Sequence, residues 1–169
     1  MNMITLLKIR LLWYRLTKKE TKRALEERRS RIAYCLRNSD IRMEDLIPIP
    51  DEEYVRVVAR LEEKVKLKKA DEPSEIRKDF LMPDGSTIYN YPLPNIFAWR
   101  DILSSMTSRR KDAYYIKHRP CRKCGEDNII YFCYRSSRES WKQLCGREGY
   151  MLICPDCLTI LSFVPYIMN

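Results

Sequence analysis

The spacing of hydrophobic residues divides the chain into a mainly helical part and a later part made of strands. Apolar residues recur three or four positions apart over residues 3–36, 52–69 and 95–108, which places them on one face of a helix. We therefore predict helices over these three segments. Thr17 and Glu20 match a capping box, so we expect the first segment to break into two helices at Thr17.

Four short apolar segments in the last third of the chain predict an antiparallel sheet. Each has the length and composition of a strand, and turns containing glycine, proline or polar residues separate them. The predicted strands span residues 113–117, 129–134, 150–153 and 158–164.

Prolines divide the segment between the predicted helices. Two of them make residues 47–50 an extended linker, because proline disfavours a helical conformation in the residue before it. A short helix is predicted over residues 73–80. A single strand is predicted over residues 87–91, and we expect Pro92 and Pro94 to stop it.

Four of the seven cysteines form two CxxC pairs with the spacing C-x2-C-x29-C-x2-C. Each pair supplies two sulfur ligands from one tight turn, and two such turns complete a tetrahedron around Zn²⁺. The predicted ligands of one structural zinc ion are Cys121, Cys124, Cys154 and Cys157. His118, three residues before the first pair, is the alternative ligand if one sulfur is displaced.

These patterns predict an α+β fold in which a helical N-terminal region is followed by a C-terminal antiparallel zinc ribbon. We divide the chain into a mainly helical region, residues 1–108, and a zinc-ribbon domain, residues 109–169. The helical region begins with a basic arm, residues 1–38, that contains eleven Lys or Arg and three Glu residues.

The basic arm is the main source of the formal net charge of +9. Dense cations attract polyanions such as nucleic acid, whereas a solvated helix face is the structural alternative. The candidate phosphate contacts are Lys18, Lys19, Lys22, Arg23, Arg28 and Arg29.

A long connection in the predicted ribbon, residues 135–149, combines several cations with one tryptophan. Long loops on rigid scaffolds often carry function, and a tryptophan can stack on a base or fill a pocket of a protein partner. It can equally fold back over the ribbon. The candidate binding residues of this loop are Arg135, Arg138, Trp141 and Arg147.

The segment from Cys121 to Asn169 resembles the zinc ribbons of transcription factors, polymerase subunits and ribosomal proteins. More narrowly, residues 141–149 before the second CxxC pair are similar to small uncharacterised zinc-ribbon proteins of bacteria and phages. The resemblance implies a ribbon without an assigned activity. Transcript-cleavage ribbons carry an adjacent Asp-Glu pair at the loop tip, and this loop offers Arg138-Glu139 and Arg147-Glu148 instead.

We predict from these features a non-enzymatic protein that binds DNA or RNA through the arm and the ribbon loop. The alternative is a regulatory or interaction subunit whose ribbon docks on a larger protein or nucleoprotein assembly. Nucleic acid and such an assembly are both favoured as partners over a membrane surface. A nuclease built on Asp and Glu residues is the enzymatic alternative, although no catalytic motif indicates one. The paired cysteines and the lack of an export signal predict a reducing, cytoplasmic location.

Overall fold

The computed structural model describes residues 3–67, 76–81, 83–93, 99–108, 111–135 and 148–166. Within these ranges the helices are α1 (Met3–Thr17), α2 (Lys22–Leu36), α3 (Asp51–Leu67) and α4 (Trp99–Ser108). The strands are β1 (Leu46–Pro48), β2 (Ile76–Leu81), β3 (Thr87–Leu93), β4 (Ala113–Ile116), β5 (Ile130–Arg135), β6 (Glu148–Ile153) and β7 (Ile160–Tyr166). Among the described helices, none has the length and apolar character required to cross a membrane.

Five of the strands form one antiparallel sheet in the order β1-β4-β5-β6-β7. The remaining strands, β2 and β3, form a separate antiparallel hairpin. The predicted α+β class and the antiparallel pairing of the C-terminal strands are therefore confirmed.

Helices cover both faces of the five-stranded sheet. On one face, α1, α3 and α4 pack through a core that includes Leu16, Leu61 and Ile102. On the other face, α2 packs through Ile32 and Cys35 against side chains of the sheet. The fold is thus a layer of three helices, a sheet and a single helix on the far side.

This layering explains why the middle strands are almost continuously apolar. In β5, Ile130 and Phe132 belong to the core under α1, α3 and α4, while Tyr131 belongs to the core under α2. All three side chains are at most 2% exposed. A strand buried on both faces does not need the alternation of apolar and polar residues that a half-exposed strand shows.

Two predictions in the middle of the chain are wrong. Residues 76–81 form strand β2 and not part of a helix, and β3 continues through Pro92 to Leu93. The hairpin pairs Arg77 with Pro92 and Ile76 with Leu93, so each strand is supported by its neighbour along the chain. Each strand of a two-stranded hairpin has one edge without a neighbouring strand. Proline, which lacks an amide hydrogen, is compatible with such an edge because an amide there donates no hydrogen bond to another strand.

The first segment breaks at Thr17 as predicted, but Thr17 does not cap the second helix. Thr17 is the last residue of α1, and its hydroxyl donates to the carbonyl of Trp13. The N-cap of α2 is Thr21, whose hydroxyl accepts a 3.2 Å hydrogen bond from the amide of Ala24. Both threonines can satisfy free backbone groups, and the sequence pattern alone selected the wrong one.

The predicted linker at residues 47–50 begins as strand β1, which pairs with β4 at the edge of the sheet. Residues before and after position 108 therefore share one sheet and both cores. The division of the chain into two domains at residue 108 stays a prediction.

Candidate metal centre

The first cysteine pair lies in a tight turn between β4 and β5. The amide of Gly125 donates to the carbonyl of Cys121 over 2.8 Å, and the amide of Cys121 donates to the carbonyl of Glu126 over 2.8 Å. Gly125 has a φ of 82°, a conformation that glycine adopts without steric cost. These two hydrogen bonds fix the backbone on which both sulfur atoms are carried.

The second cysteine pair repeats this geometry between β6 and β7. The amide of Leu158 donates to the carbonyl of Cys154 over 3.1 Å, and the amide of Cys154 donates to the carbonyl of Thr159 over 2.9 Å. Leu158 takes the position of Gly125 and has a φ of 56°. We refer to the two segments as the first and second cysteine turns, residues 121–126 and 154–159.

The sheet brings the two cysteine turns to the same end of the molecule. β5 and β6 are neighbours, and Ile130 at the start of β5 pairs with Ile153 at the end of β6. The first turn leads into β5 and the second turn leaves β6. Strand register therefore decides that two segments about thirty residues apart in sequence meet in space.

The four sulfur atoms lie within 4.8 Å of one another. Across the two turns, the Sγ atoms of Cys121 and Cys157 are 3.7 Å apart, and those of Cys124 and Cys154 are 3.4 Å apart. A tetrahedral ion with metal–sulfur bonds of about 2.3 Å requires sulfur–sulfur distances of about 3.8 Å. The four predicted ligands are thus brought together, and they can hold a metal ion.

Burial and hydrogen bonding set unequal proton affinities within this cluster. Burial raises the pKa of the Cys154 thiol to about 12. For Cys157, burial also acts to raise the pKa, but hydrogen bonds from Thr159 and the neighbouring cysteines lower it to about 7. The Thr159 hydroxyl lies 3.0 Å from the Cys157 sulfur. Because metals bind the deprotonated sulfur, a cluster of this kind exchanges protons for the ion.

A lysine on α3 holds the second cysteine turn in place. The Lys64 ammonium donates to the Asp156 carboxylate over 2.7 Å and to the Asp156 carbonyl over 3.0 Å, and it lies 3.4 Å from the carbonyl of Pro155. The hydrogen bond from Lys64 lowers the pKa of Asp156. Sequence reasoning missed this contact, since the two residues are 92 positions apart.

His118 is not part of the metal-competent group found among the described residues, which consists of cysteines. It is exposed and has a φ of 54°. The structure thus assembles the four sulfur ligands without it.

The candidate cations of the basic arm fall into two groups. The exposed group consists of Lys18, Lys19, Lys22, Arg23 and Arg29. In contrast, the side chain of Arg28 is only 17% exposed and forms an ion pair with Glu20. Its Nε atom also lies 3.8 Å from Asp112. Arg28 thus faces the sheet.

Asp112 is the centre of this polar cluster between α2 and the sheet. Its Oδ2 atom accepts a 2.5 Å hydrogen bond from the Tyr150 hydroxyl. Burial raises the pKa of its carboxyl group, against the opposing effects of Tyr150, Arg28 and Arg31. Among the described residues, the other carboxylate oxygen has no hydrogen-bond partner. The cluster joins α2 to the sheet through charge as well as through apolar packing.

The ribbon loop is described only at its two ends. Arg135 and Glu148 form an ion pair across the base of the loop, where β5 pairs with β6. Arg138, Trp141 and Arg147 lie outside the described residues. Their predicted role in binding therefore stays a prediction.

Comparison with protein-family models, curated proteins and solved structures gave no match for this chain. The resemblance to zinc ribbons of bacteria and phages accordingly stays a prediction.

Proposed function

We propose that the four cysteines hold one structural Zn²⁺ ion in a zinc ribbon, and that the protein binds nucleic acid without catalysing a reaction. An all-thiolate tetrahedral set suits zinc, a borderline-soft ion without a redox change of its own. The sulfur–sulfur distances of 3.4 and 3.7 Å across the turns support this ion.

A site with four protein ligands is closed, because no coordination position is left for water or substrate. The ion would therefore contribute stability by joining the two cysteine turns, which the sheet already places side by side. In this role it would support the C-terminal strands and their loop and would take no part in a chemical step.

The observation that carries the nucleic-acid proposal is the exposure of the arm cations. Lys18, Lys19 and Lys22 are exposed around the start of α2, and Arg29 is exposed two turns further along it. Arg23 is exposed as well and pairs with Glu27 over 3.0 Å. Because Arg28 is paired inside the fold, we leave it out of the proposed phosphate contacts.

A second group of exposed cations lies on and beside the first cysteine turn: Lys117, Arg122 and Lys123. Zinc with four thiolates carries a net charge of about −2, so cations between the ligands also offset that charge. These residues add to the basic surface, but the arm alone carries the proposal.

The test is binding to single- and double-stranded DNA and RNA across a salt series. Wild type is compared with a triple reversal in the arm, Lys18→Glu, Lys19→Glu and Lys22→Glu. The matched control is the reversal of three exposed cations on α3, Arg56→Glu, Arg60→Glu and Lys66→Glu, which changes the net charge equally.

For duplex DNA, loss of three phosphate contacts reduces the slope of log affinity against log salt by roughly 2.7. We expect this reduction in the arm variant and a smaller one in the α3 control. Equal effects of the two variants would show that net charge alone attracts the polymer. No binding at low salt would refute the proposal and favour a protein partner instead.

A further inference from the structure

The fold buries only one face of α1. Leu12 and Leu16 belong to the core and are 4% and 9% exposed. In contrast, Leu7 is 60% exposed, Leu11 is 49% exposed and Tyr14 is 69% exposed. These three residues follow one another at spacings of four and three positions, so they form a continuous stripe on the outer face of the helix.

Other residues extend this apolar stripe and surround it with positive charge. Leu6 and Trp13 are 43% and 36% exposed, and Lys8 and Arg10 are exposed beside them. The sequence contains no acidic residue before Glu20. The α1 outer surface, as we call it, therefore consists of Leu6, Leu7, Leu11, Trp13 and Tyr14 with Lys8 and Arg10, and it has no negative charge of its own.

We propose that the α1 outer surface binds the surface of a lipid bilayer that contains anionic headgroups, with the helix lying parallel to the membrane plane. The leucines would enter the boundary between headgroups and acyl chains, and the cations would pair with lipid phosphates. Tryptophan and tyrosine suit this boundary because one end of each ring is apolar and the other is polar. A helix of 15 residues is about 22 Å long, too short to cross a hydrocarbon core of about 30 Å.

Charge decides between a lipid surface and a second copy of the chain. Two copies packed through this face would bring Lys8 and Arg10 of one protomer close to those of the other, and the helix offers no acidic residue to pair with them. Anionic headgroups supply that pairing. A nucleic acid would satisfy the cations but would leave the stripe of Leu7, Leu11 and Tyr14 in water.

The sequence pattern favours nucleic acid or a protein over a membrane surface, because it does not show which apolar residues of α1 are buried in the core and which are exposed. Exposure of its outer face changes that expectation. This second surface also differs from the arm cations proposed for nucleic acid, which begin at Lys18.

The test is co-sedimentation of the full chain with vesicles of phosphatidylcholine alone and of phosphatidylcholine mixed with phosphatidylglycerol. The variant Leu7→Gln with Leu11→Gln removes the centre of the stripe. The matched control, Ile47→Gln with Ile88→Gln, replaces two residues on strands that are 40% and 42% exposed. Thermal unfolding of both variants verifies that they fold like wild type.

We expect wild type and the control to bind the anionic vesicles, and the α1 variant to bind them about tenfold more weakly or worse. Trp13 supplies a second readout. Its emission should shift to shorter wavelength with anionic vesicles, and the Trp13→Phe variant should lose that part of the shift.

Three results would overturn the proposal. The first is no binding of wild type to either vesicle. The second is equal binding of the α1 variant and the control, since charge alone would then hold the protein on the vesicle. The third is self-association of wild type that the α1 variant abolishes, because the surface would then belong to a second copy. Nucleic-acid binding measured on the same α1 variant should be unchanged, which keeps the two proposals separate.

Discussion

Gly125 and Leu158 occupy the same position in the two cysteine turns, and both have a left-handed backbone, with φ angles of 82° and 56°. Each donates its amide hydrogen to the carbonyl of the first cysteine of its turn. A left-handed conformation costs an L-residue about 1–2 kcal/mol, and glycine avoids that cost. Leu158 remains in this conformation while its side chain is 8% exposed within the core of the protein.

Gly125→Ala isolates this backbone effect, because an added Cβ atom would meet nothing within 4 Å. We expect a loss of about 1 kcal/mol in the free energy of unfolding and a weaker affinity for zinc. Gly85→Ala is the matched control: φ at Gly85 is 85° and its surroundings are equally open, but it lies in the turn before β3. The control should lose similar stability and retain the affinity for zinc, as measured by urea unfolding and a competitive chelator titration. Equal zinc affinities in the two variants would contradict the role assigned to the turn.

Cys154→Ser should abolish stoichiometric zinc binding, because three sulfur ligands and one hydroxyl no longer form the closed thiolate set. We expect a loss of stability on the order of 4 kcal/mol or more, since binding of a structural metal is linked to folding. The control is Cys133→Ser, which replaces a half-buried cysteine on β5 outside the metal-competent group. Metal content of the purified proteins measures both outcomes. Full stoichiometry in Cys154→Ser would refute the four-cysteine assignment.

Gly149→Ala should disturb the pairing of β6 with β7. A Cβ atom there would lie 2.5 Å from the carbonyl oxygen of Val164 and 2.5 Å from a ring carbon of Phe163. This backbone oxygen lies on β7, the strand that pairs with β6, so it cannot move away without shifting that strand. We expect destabilisation of about 1–3 kcal/mol in urea unfolding, more than Gly125→Ala causes. Stability equal to that of wild type would mean that the strands are further apart than described.

Asp112→Asn should change the pH dependence of stability. Burial raises the pKa of Asp112 in the folded state, so this residue stabilises the fold most below its unfolded-state pKa, and that contribution is lost as pH rises through the folded-state pKa. The stability of wild type relative to the variant should therefore fall as pH rises from about 4. Both proteins share the metal site, so its own pH dependence cancels in the difference.

The control for this experiment is Asp40→Asn. A hydrogen bond from Arg119 lowers the pKa of Asp40, so its carboxylate is ionised in both states over about pH 5 to pH 8. The difference in the free energy of unfolding between wild type and this variant should stay constant over that pH range. If the stability of wild type relative to Asp112→Asn instead increased with pH, Arg28 and Arg31 would lower the pKa of Asp112 by more than burial raises it.

Arg28 shows what a charge pattern alone does not reveal, namely the acidic partners that a cation has in the folded chain. Ile32 lies one helical turn further along α2, and Ile32, Cys35 and Leu36 are its buried residues. The spacing of four positions between Arg28 and Ile32 was a signal that Arg28 faces the sheet. Asp112 lies 84 positions later in the chain, so the sequence pattern does not reveal it as a partner of Arg28. The charge pattern therefore placed Arg28 among the candidate phosphate contacts.

The sequence by itself determined the features that depend on near neighbours. Helix α3, the C-terminal strands and the two CxxC turns follow from periodicity, from β-forming composition and from the ligand chemistry of cysteine, all of which act over a few residues. Tertiary structure decided the rest: the sheet that joins β1 to β4, the register that brings Cys124 to Cys154, and the face of α1 that stays exposed. These depend on contacts between distant segments, because burial and ion pairing are set by whichever surfaces meet when the layers pack.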